Sequence, residues 1–358
     1  RRAAGLDGLL AALPEFPVDA PLPSSASNAW AVAPGRSATG GALLASDPHL
    51  GFQAPILWFL ARIELPDGRF LAGATSPGVP FVVIGRNERL AWGFTTTHSD
   101  TQDVFVERPV GTDRYETPEG PRPFEAREEL IAVRGRAPER LRVRETRHGP
   151  VISDLDEQQG GPLLSVAMAN LAPDDTSAAG LHALNRARDI DGARAAAAGI
   201  LSPSQNLMAA DTAGGIALFL TGRTPVRRAG DGFAPVPGWD GSHDWTGWVP
   251  FDELPHVVAP PSGALANANN RVQDEDAEPF LGRDWPGDWR VHRIAALLAA
   301  RPRHAPGDMA AMQMDSVSLF ARESLPVLRA APRPDGAAGA ARDLLLSWDG
   351  EMAADRPQ

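Results

Sequence analysis

The chain has 358 residues, 43% of them hydrophobic, and a formal net charge of −11 at pH 7. That balance fits a globular protein with a sizeable core and, with no basic stripe carrying interleaved aromatics, excludes nucleic acid as a partner. There is no cysteine and all 34 basic residues are arginine, so thiol catalysis, disulfides, Schiff-base lysines, Ser-Lys dyads and the phosphate-loop lysine are excluded.

Residues 1–26 open on Arg1-Arg2 and a short apolar patch, too brief for a secretory signal, and continue through Pro14, Pro17, Pro21 and Pro23. They read as an exposed, cleavable, proline-rich linker entering Ser27. Ser27-Asn28 then opens an alternating stretch, Ala29-Trp30-Ala31-Val32. A serine that becomes the first residue of its chain can attack an amide without a histidine or lysine, because its own α-amine, with a pKa of roughly 8, can take the hydroxyl proton. That chemistry requires the Ala26-Ser27 bond to be cut.

Downstream, β-branched and aromatic runs predict strands over Trp30–Ala33, Ala42–Ala45, Leu57–Leu65, Phe70–Ala72, Phe81–Ile84, Leu90–Thr97 and Asp103–Glu107, separated by Gly, Pro and Asn turns. Two charged, alternating stretches around Leu130–Val133 and Leu141–Arg144 read as a half-solvated hairpin. A helix is expected over Leu181–Ile200, with Asp189 and Asp191 starting its second part, then strands over Asn206–Thr221 about the turn Asp211–Gly215. A Pro/Gly/Trp-rich loop region follows from Pro225 to Pro261. Helices are expected at Arg290–Ala300, Asp308–Met314, Leu319–Leu328 and Ala337–Trp348. The order is strands in a layered sheet followed by helices, an α+β arrangement and not a β-α-β alternation. No run approaches the roughly 18 apolar residues of a membrane span.

The motifs S-N-A-W-A-V-A-P-G-R-S-A-T-G-G (27–41), D-P-H-L (47–50), P-G-V-P (77–80), G-R-N-E-R-L-A-W-G-F-T-T-T-H-S-D-T-Q-D-V-F (85–105), R-H-G-P-V-I (147–152), S-Q-N-L-M-A-A-D-T-A-G-G-I (204–216), P-V-P-G (235–238) and A-N-A-N-N (266–270) occur in this order. Together they resemble the penicillin acylase family of N-terminal nucleophile hydrolases, which includes penicillin, cephalosporin and acyl-homoserine-lactone acylases. The resemblance implies an αββα sandwich with β-rich insertions, matured by autocatalytic cleavage into an α chain and a β chain. Residues 27–358 would be the β-chain portion of the catalytic domain, incomplete at both ends, with the α chain of the same precursor as partner.

The resemblance also implies site roles. Ser27 matches the nucleophile, and His49 the position where cephalosporin and lactone acylases carry histidine, able to orient the serine and its amine. The backbone N–H of Thr96 and the side-chain amide of Asn269 match the oxyanion donors, and Arg290 matches an arginine that positions Asn269. Asp100 and Asp103 match two carboxylates that hold a structural calcium in some members, with Asp276 or Glu278 a loose match for a further ligand. No cofactor is required for the chemistry. Phe52, Trp58 and Phe81 are candidates for lining an apolar acyl site. The implied activity is hydrolysis of a linear N-acyl amide, in a periplasmic or extracellular location. A glycosidase using a pair among Asp274, Glu275, Asp276 and Glu278, and an inactive β-rich binding module, are the alternatives.

Overall fold

The computed structural model describes residues 26–51, 53–155 and 161–354. The linker up to residue 25 and Phe52 therefore lie outside the described residues. The strands that build the site are β1 (Ala26–Val32), β2 (Leu43–His49), β3 (Phe59–Glu64), β4 (Phe70–Thr75), β5 (Ile84–Arg86), β6 (Leu90–Thr96), β7 (Gln102–Glu107), β8 (Gln205–Asp211), β9 (Ile216–Thr221), β10 (His256–Val258) and β11 (Ala264–Asn267). Helices α1 (Ser177–Arg186), α2 (Ile190–Ala197), α3 (Trp289–Ala299), α4 (Pro306–Gln313), α5 (Leu319–Ala330) and α6 (Gly336–Leu346) complete the frame.

Two antiparallel sheets are stacked. One has the order β2-β1-β11 and the other β10-β9-β8-β6-β5-β4-β3. Side chains of a strand alternate between faces, and the core divides on that alternation. Ala29 and Ala31 of β1 meet Met208, Ala210, Ile216 and Leu218 of the larger sheet, small residues against mostly larger ones. Trp30 and Val32, on the reverse face of β1, pack with Ala45, Ile294, Leu298 and Met309 beneath α3 and α4. The reverse face of the larger sheet, through Trp92, Leu207, Ala209, Ala217 and Phe219, packs on Leu184, Ile190, Ala193 and Ala197 of the α1–α2 layer. The layers therefore run helix, sheet, sheet, helix.

The sheets are in close contact where Gly93 of β6 faces Ser46 of β2. A Cβ at Gly93 would stand 2.4 Å from the Ser46 Cβ, so any side chain there would wedge the layers apart.

Some expected elements differ. The stretch Phe81–Val83 is not a strand: the side-chain amide of Asn185 accepts from Val82 N (2.9 Å) and donates to Val82 O (2.8 Å), taking a neighbouring strand's place. The helix expected over Leu181–Ile200 is two helices. Asp189 caps the second by accepting from Gly192 N at 2.8 Å. The charged hairpin pairs Glu125–Ile131 with Glu139–Thr146 and is more exposed than expected, its first strand wholly so. The region 225–261 contains short strands, among them Pro225–Arg227 paired with Trp245–Trp248.

Candidate active site

Ser27 is the second residue of β1 and sits across from Pro48 of β2. It belongs to the face of β1 that looks toward the larger sheet, and it is 6% exposed. It opens into a cavity of about 600 Å³, lined among others by Leu50, Trp58, Phe81, Phe94 and Leu181. Trp58 and Phe81, the candidates for an apolar acyl site, thus both line this cavity. Thr96, at the end of β6, lies on the same wall.

Asn269 follows β11 and is 2% exposed, with a φ of 65°, a left-handed conformation that asparagine tolerates better than most residues. Its Oδ1 accepts from Ser27 N at 2.7 Å and from an Arg290 guanidinium nitrogen at 3.0 Å. Two donors on one atom fix the amide's orientation, so Nδ2 is the side that donates. One of its N–H groups goes to Thr96 O at 2.7 Å. The amide therefore ties Ser27 to Thr96 across the two sheets.

Beneath Asn269 lies a network that the sequence reading missed. Asn267 Oδ1 accepts from Thr95 Oγ1 (2.5 Å), Asn206 Nδ2 (3.2 Å) and Asn269 N (3.0 Å). All four residues are buried, where an unmet polar group is costly, so the network holds one geometry. The only signal was polar residues within strand-like runs, in T-T-T at 95–97, S-Q-N at 204–206 and A-N-A-N-N at 266–270.

Arg290 lies in the first turn of α3. It does not pair with Asp288. One terminal nitrogen donates to Ser27 O (2.9 Å) and Asn28 Oδ1 (2.8 Å), and the other to Asn269 Oδ1. Each acceptor is neutral, the position at a helix N-terminus is unfavourable for a cation, and burial lowers the pKa of the guanidinium, with the charge of Asp47 offsetting it in part. An arginine held against these costs leaves its charge directed at Ser27 and Asn269. His98 is likewise held below its usual value, first by burial and then by the charge of Arg290.

His49 is not brought to Ser27. It stands across from Ala26, on the opposite face of the β1–β2 ribbon. Its Nε2 lies 3.3 Å from Asp47 Oδ2, its side chain is 47% exposed, and it lines a separate cleft with Trp289 and Arg290. The expectation rested on motif position; strand alternation decides the face.

Asp100 and Asp103 do come together, around a different cation. Both oxygens of Asp103 accept from Arg227, at 2.8 Å each, and Trp245 Nε1 donates to Asp103 Oδ2 at 2.5 Å. Asp100 Oδ1 lies 3.3 Å from the same guanidinium. Burial pushes the pKa of Asp100 up, and Arg227 pulls it back in part. Glu278 accepts from Phe280 N in its own turn, and Asp274, Glu275, Asp276 and Glu278 are exposed. Among the described residues no group of three or more His, Asp or Glu side chains is placed to hold a metal ion. Calcium wants six to eight oxygens, and the residues present do not fit it.

The R-H-G-P stretch forms a second buried charge cluster. His148 stacks on Phe105, with ring centroids 3.7 Å apart, and its ring nitrogens lie 2.7 Å from Glu107 and 3.1 Å from Asp244. Burial alone would raise the pKa of Glu107, but hydrogen bonds from His148 and Ser165 outweigh it and hold the carboxyl low. The cluster fastens β7 to the loop around Asp244.

Four layers ordered helix, sheet, sheet, helix define the fold of the N-terminal nucleophile hydrolases. The chain belongs to the penicillin amidase family, whose model matches residues 2–358. Over 339 residues it is 37% identical to a penicillin acylase 2 proenzyme from Pseudomonas sp. (strain SE83), covering 92% of this chain and 42% of that protein. It is 34% identical over 376 residues to the acyl-homoserine lactone acylase QuiP of Pseudomonas aeruginosa, covering 98% and 44%. Among solved structures, the thermostable penicillin G acylase from Alcaligenes faecalis superposes with a TM-score of 0.77 at 25% identity, over 90% of this chain and 59% of that one. The chain thus spans less than half the length of these two curated relatives.

Proposed function

We propose that this chain carries the nucleophile and oxyanion site of an amidohydrolase that cleaves linear N-acyl amides, with Ser27 acting as an N-terminal nucleophile after autocatalytic cleavage of the Ala26-Ser27 bond. The observation that supports it most is the position of Ser27: at the mouth of an apolar cavity, with its backbone held by Asn269 and Arg290. The relatives named as penicillin and acyl-homoserine lactone acylases act on such amides, and one is a proenzyme.

In this mechanism the freed α-amine takes the Ser27 hydroxyl proton as Oγ attacks the substrate carbonyl. The oxyanion is met by the Thr96 N–H and by the N–H of Asn269 Nδ2 not given to Thr96 O. Collapse expels the amine as the α-ammonium returns that proton to the departing nitrogen, leaving an acyl ester on Ser27, which water, deprotonated by the same α-amine, hydrolyses to the carboxylic acid. The apolar walls of the cavity suit an aliphatic or aromatic acyl group. The remainder of the precursor, the α chain, is the proposed partner. It would cover the exposed Ile56, Phe59 and Leu60, which lie on and beside the edge strand β3. No helix among the described residues is long and apolar enough to cross a membrane, and the proposed location is periplasmic or extracellular, as the family resemblance implies.

A panel of N-acyl amides of graded acyl length, given to the purified full-length protein, tests the activity. Hydrolysis that rises with acyl size and then falls as the cavity fills is expected. Lack of turnover across the panel by correctly processed protein would favour the binding-module reading.

Arg290 gives this mechanism a pH signature. A fixed positive charge beside the α-amine disfavours the ammonium form, so the amine becomes a competent base at lower pH. Removing that charge raises the amine pKa. Arg290→Gln is therefore expected to move the acid limb of the kcat/KM profile upward by roughly one pH unit. An unmoved acid limb in a folded variant would separate Arg290 from the amine.

A further inference from the structure

The Asp100–Asp103 pair, matched by resemblance to calcium ligands, is already neutralised from within. Arg227 is 5% exposed and Asp103 3% exposed by side chain. Its Nε and one terminal nitrogen form a two-point contact with the Asp103 carboxylate, and that same terminal nitrogen reaches the backbone oxygen of Asp100 at 3.2 Å. Asp103 Oδ2 also accepts from the Trp245 indole. Asp100 and Gly232 also line an open cleft of about 420 Å³, and on its wall the carboxylates press close on the backbone. A Cβ on Gly232, which has a φ of 77°, would lie 2.4 Å from Asp103 Oδ1, 2.6 Å from Asp100 Oδ2 and 2.8 Å from the Arg227 guanidinium. The neighbouring Asp231 is taken by Arg283.

We propose that Arg227 is the built-in cation of this site, a fixed guanidinium that takes the carboxylate oxygens a divalent metal would need. A dication would have to compete for oxygens already committed to N–H donors, while repelled by a buried arginine in direct contact with them. The exchange also has a consequence for the active site. Asp100 and Asp103 follow closely on Thr96, and Asp100 N donates to Leu281 O at 2.6 Å. Arg227 thereby ties the segment after the oxyanion strand to the Pro225–Arg227 and Trp245–Trp248 hairpin.

Terbium luminescence and thermal melting of the purified full-length protein test this. Trp245 touches Asp103, so a terbium ion bound there would be sensitised by the indole. Wild-type protein is expected to give no saturable terbium emission that calcium displaces, and a Tm unchanged by calcium or by a chelator. Arg227→Ser should lose roughly 5–10 °C in Tm, recover part of it on adding calcium, and gain terbium emission that a further Asp103→Asn change abolishes. Calcium-displaceable emission in the wild type that Asp103→Asn removes, or a chelator-sensitive wild-type Tm restored by calcium, overturns the proposal. So does a folded Arg227→Ser protein with an unaltered Tm and no metal response. Should Arg227→Ser not fold, the wild-type measurements decide alone. These readouts are independent of amide hydrolysis.

Discussion

Ser27→Ala is expected to leave the bond after Ala26 uncut in the full-length protein and to reduce amide hydrolysis by at least about 10⁴-fold. Both effects have one cause, because the hydroxyl that attacks the substrate is the group proposed to attack its own preceding carbonyl. The fold should survive. Ser27 contributes its backbone to the β1–β2 ladder and to Asn269 and Arg290, none of which needs Oγ. Alanine fits wherever serine does, so Tm should change by no more than a few degrees. Intact mass and N-terminal sequencing of wild type and variant check the cleavage, and a substrate assay on both checks the chemistry. A Ser27→Ala protein that still begins at residue 27 would show cutting by another agent, and autocatalysis would be abandoned.

Asn269→Gly is expected to lower kcat by roughly 10²–10³-fold with a much smaller change in KM, the usual cost of losing one oxyanion donor. Glycine is the informative replacement because the native φ of 65° costs it nothing. Backbone strain is then not confused with the lost amide. The asymmetry between kcat and KM follows from the geometry: Nδ2 would meet an oxygen that becomes charged only during attack. The variant also releases Ser27 N, Arg290 and Thr96 O from the side-chain amide, so a modest fall in Tm accompanies the kinetic loss. Steady-state kinetics with one N-acyl amide suffice. An unchanged kcat in folded protein would remove Asn269 from the oxyanion site.

Much of the architecture was legible because its code is local. The β-branched and aromatic runs at Leu90–Thr97 and Asp103–Glu107 read as strands and stand as β6 and β7, and Gly and Pro turns marked the strand ends. Where the reading failed, a distant side chain had intervened. Val82 belongs to no strand because Asn185, remote in sequence, satisfies its backbone. His49 was placed by motif position, whereas its direction is set by the register of β2 on β1. Arg227 falls in the stretch read as a Pro/Gly/Trp-rich loop, and nothing near it in the chain announces its contact with Asp103. Ser27, Asn269 and Arg290 were found through resemblance. Asn267, Asn206 and Thr95 were not, since a buried amide network has no spacing rule of its own.

The register of β1 bears on how such a chain could be cut without coming apart. Of the seven residue pairs that join β1 to β2, only Ala26 with His49 lies upstream of the Ala26-Ser27 bond. The pairing with β11 begins later still, at Ala29. Cleavage there would therefore remove a single rung of the described ladder. The proposed scissile bond sits at the margin of a central strand, where a new chain end can be made while the sheet behind it stays zipped.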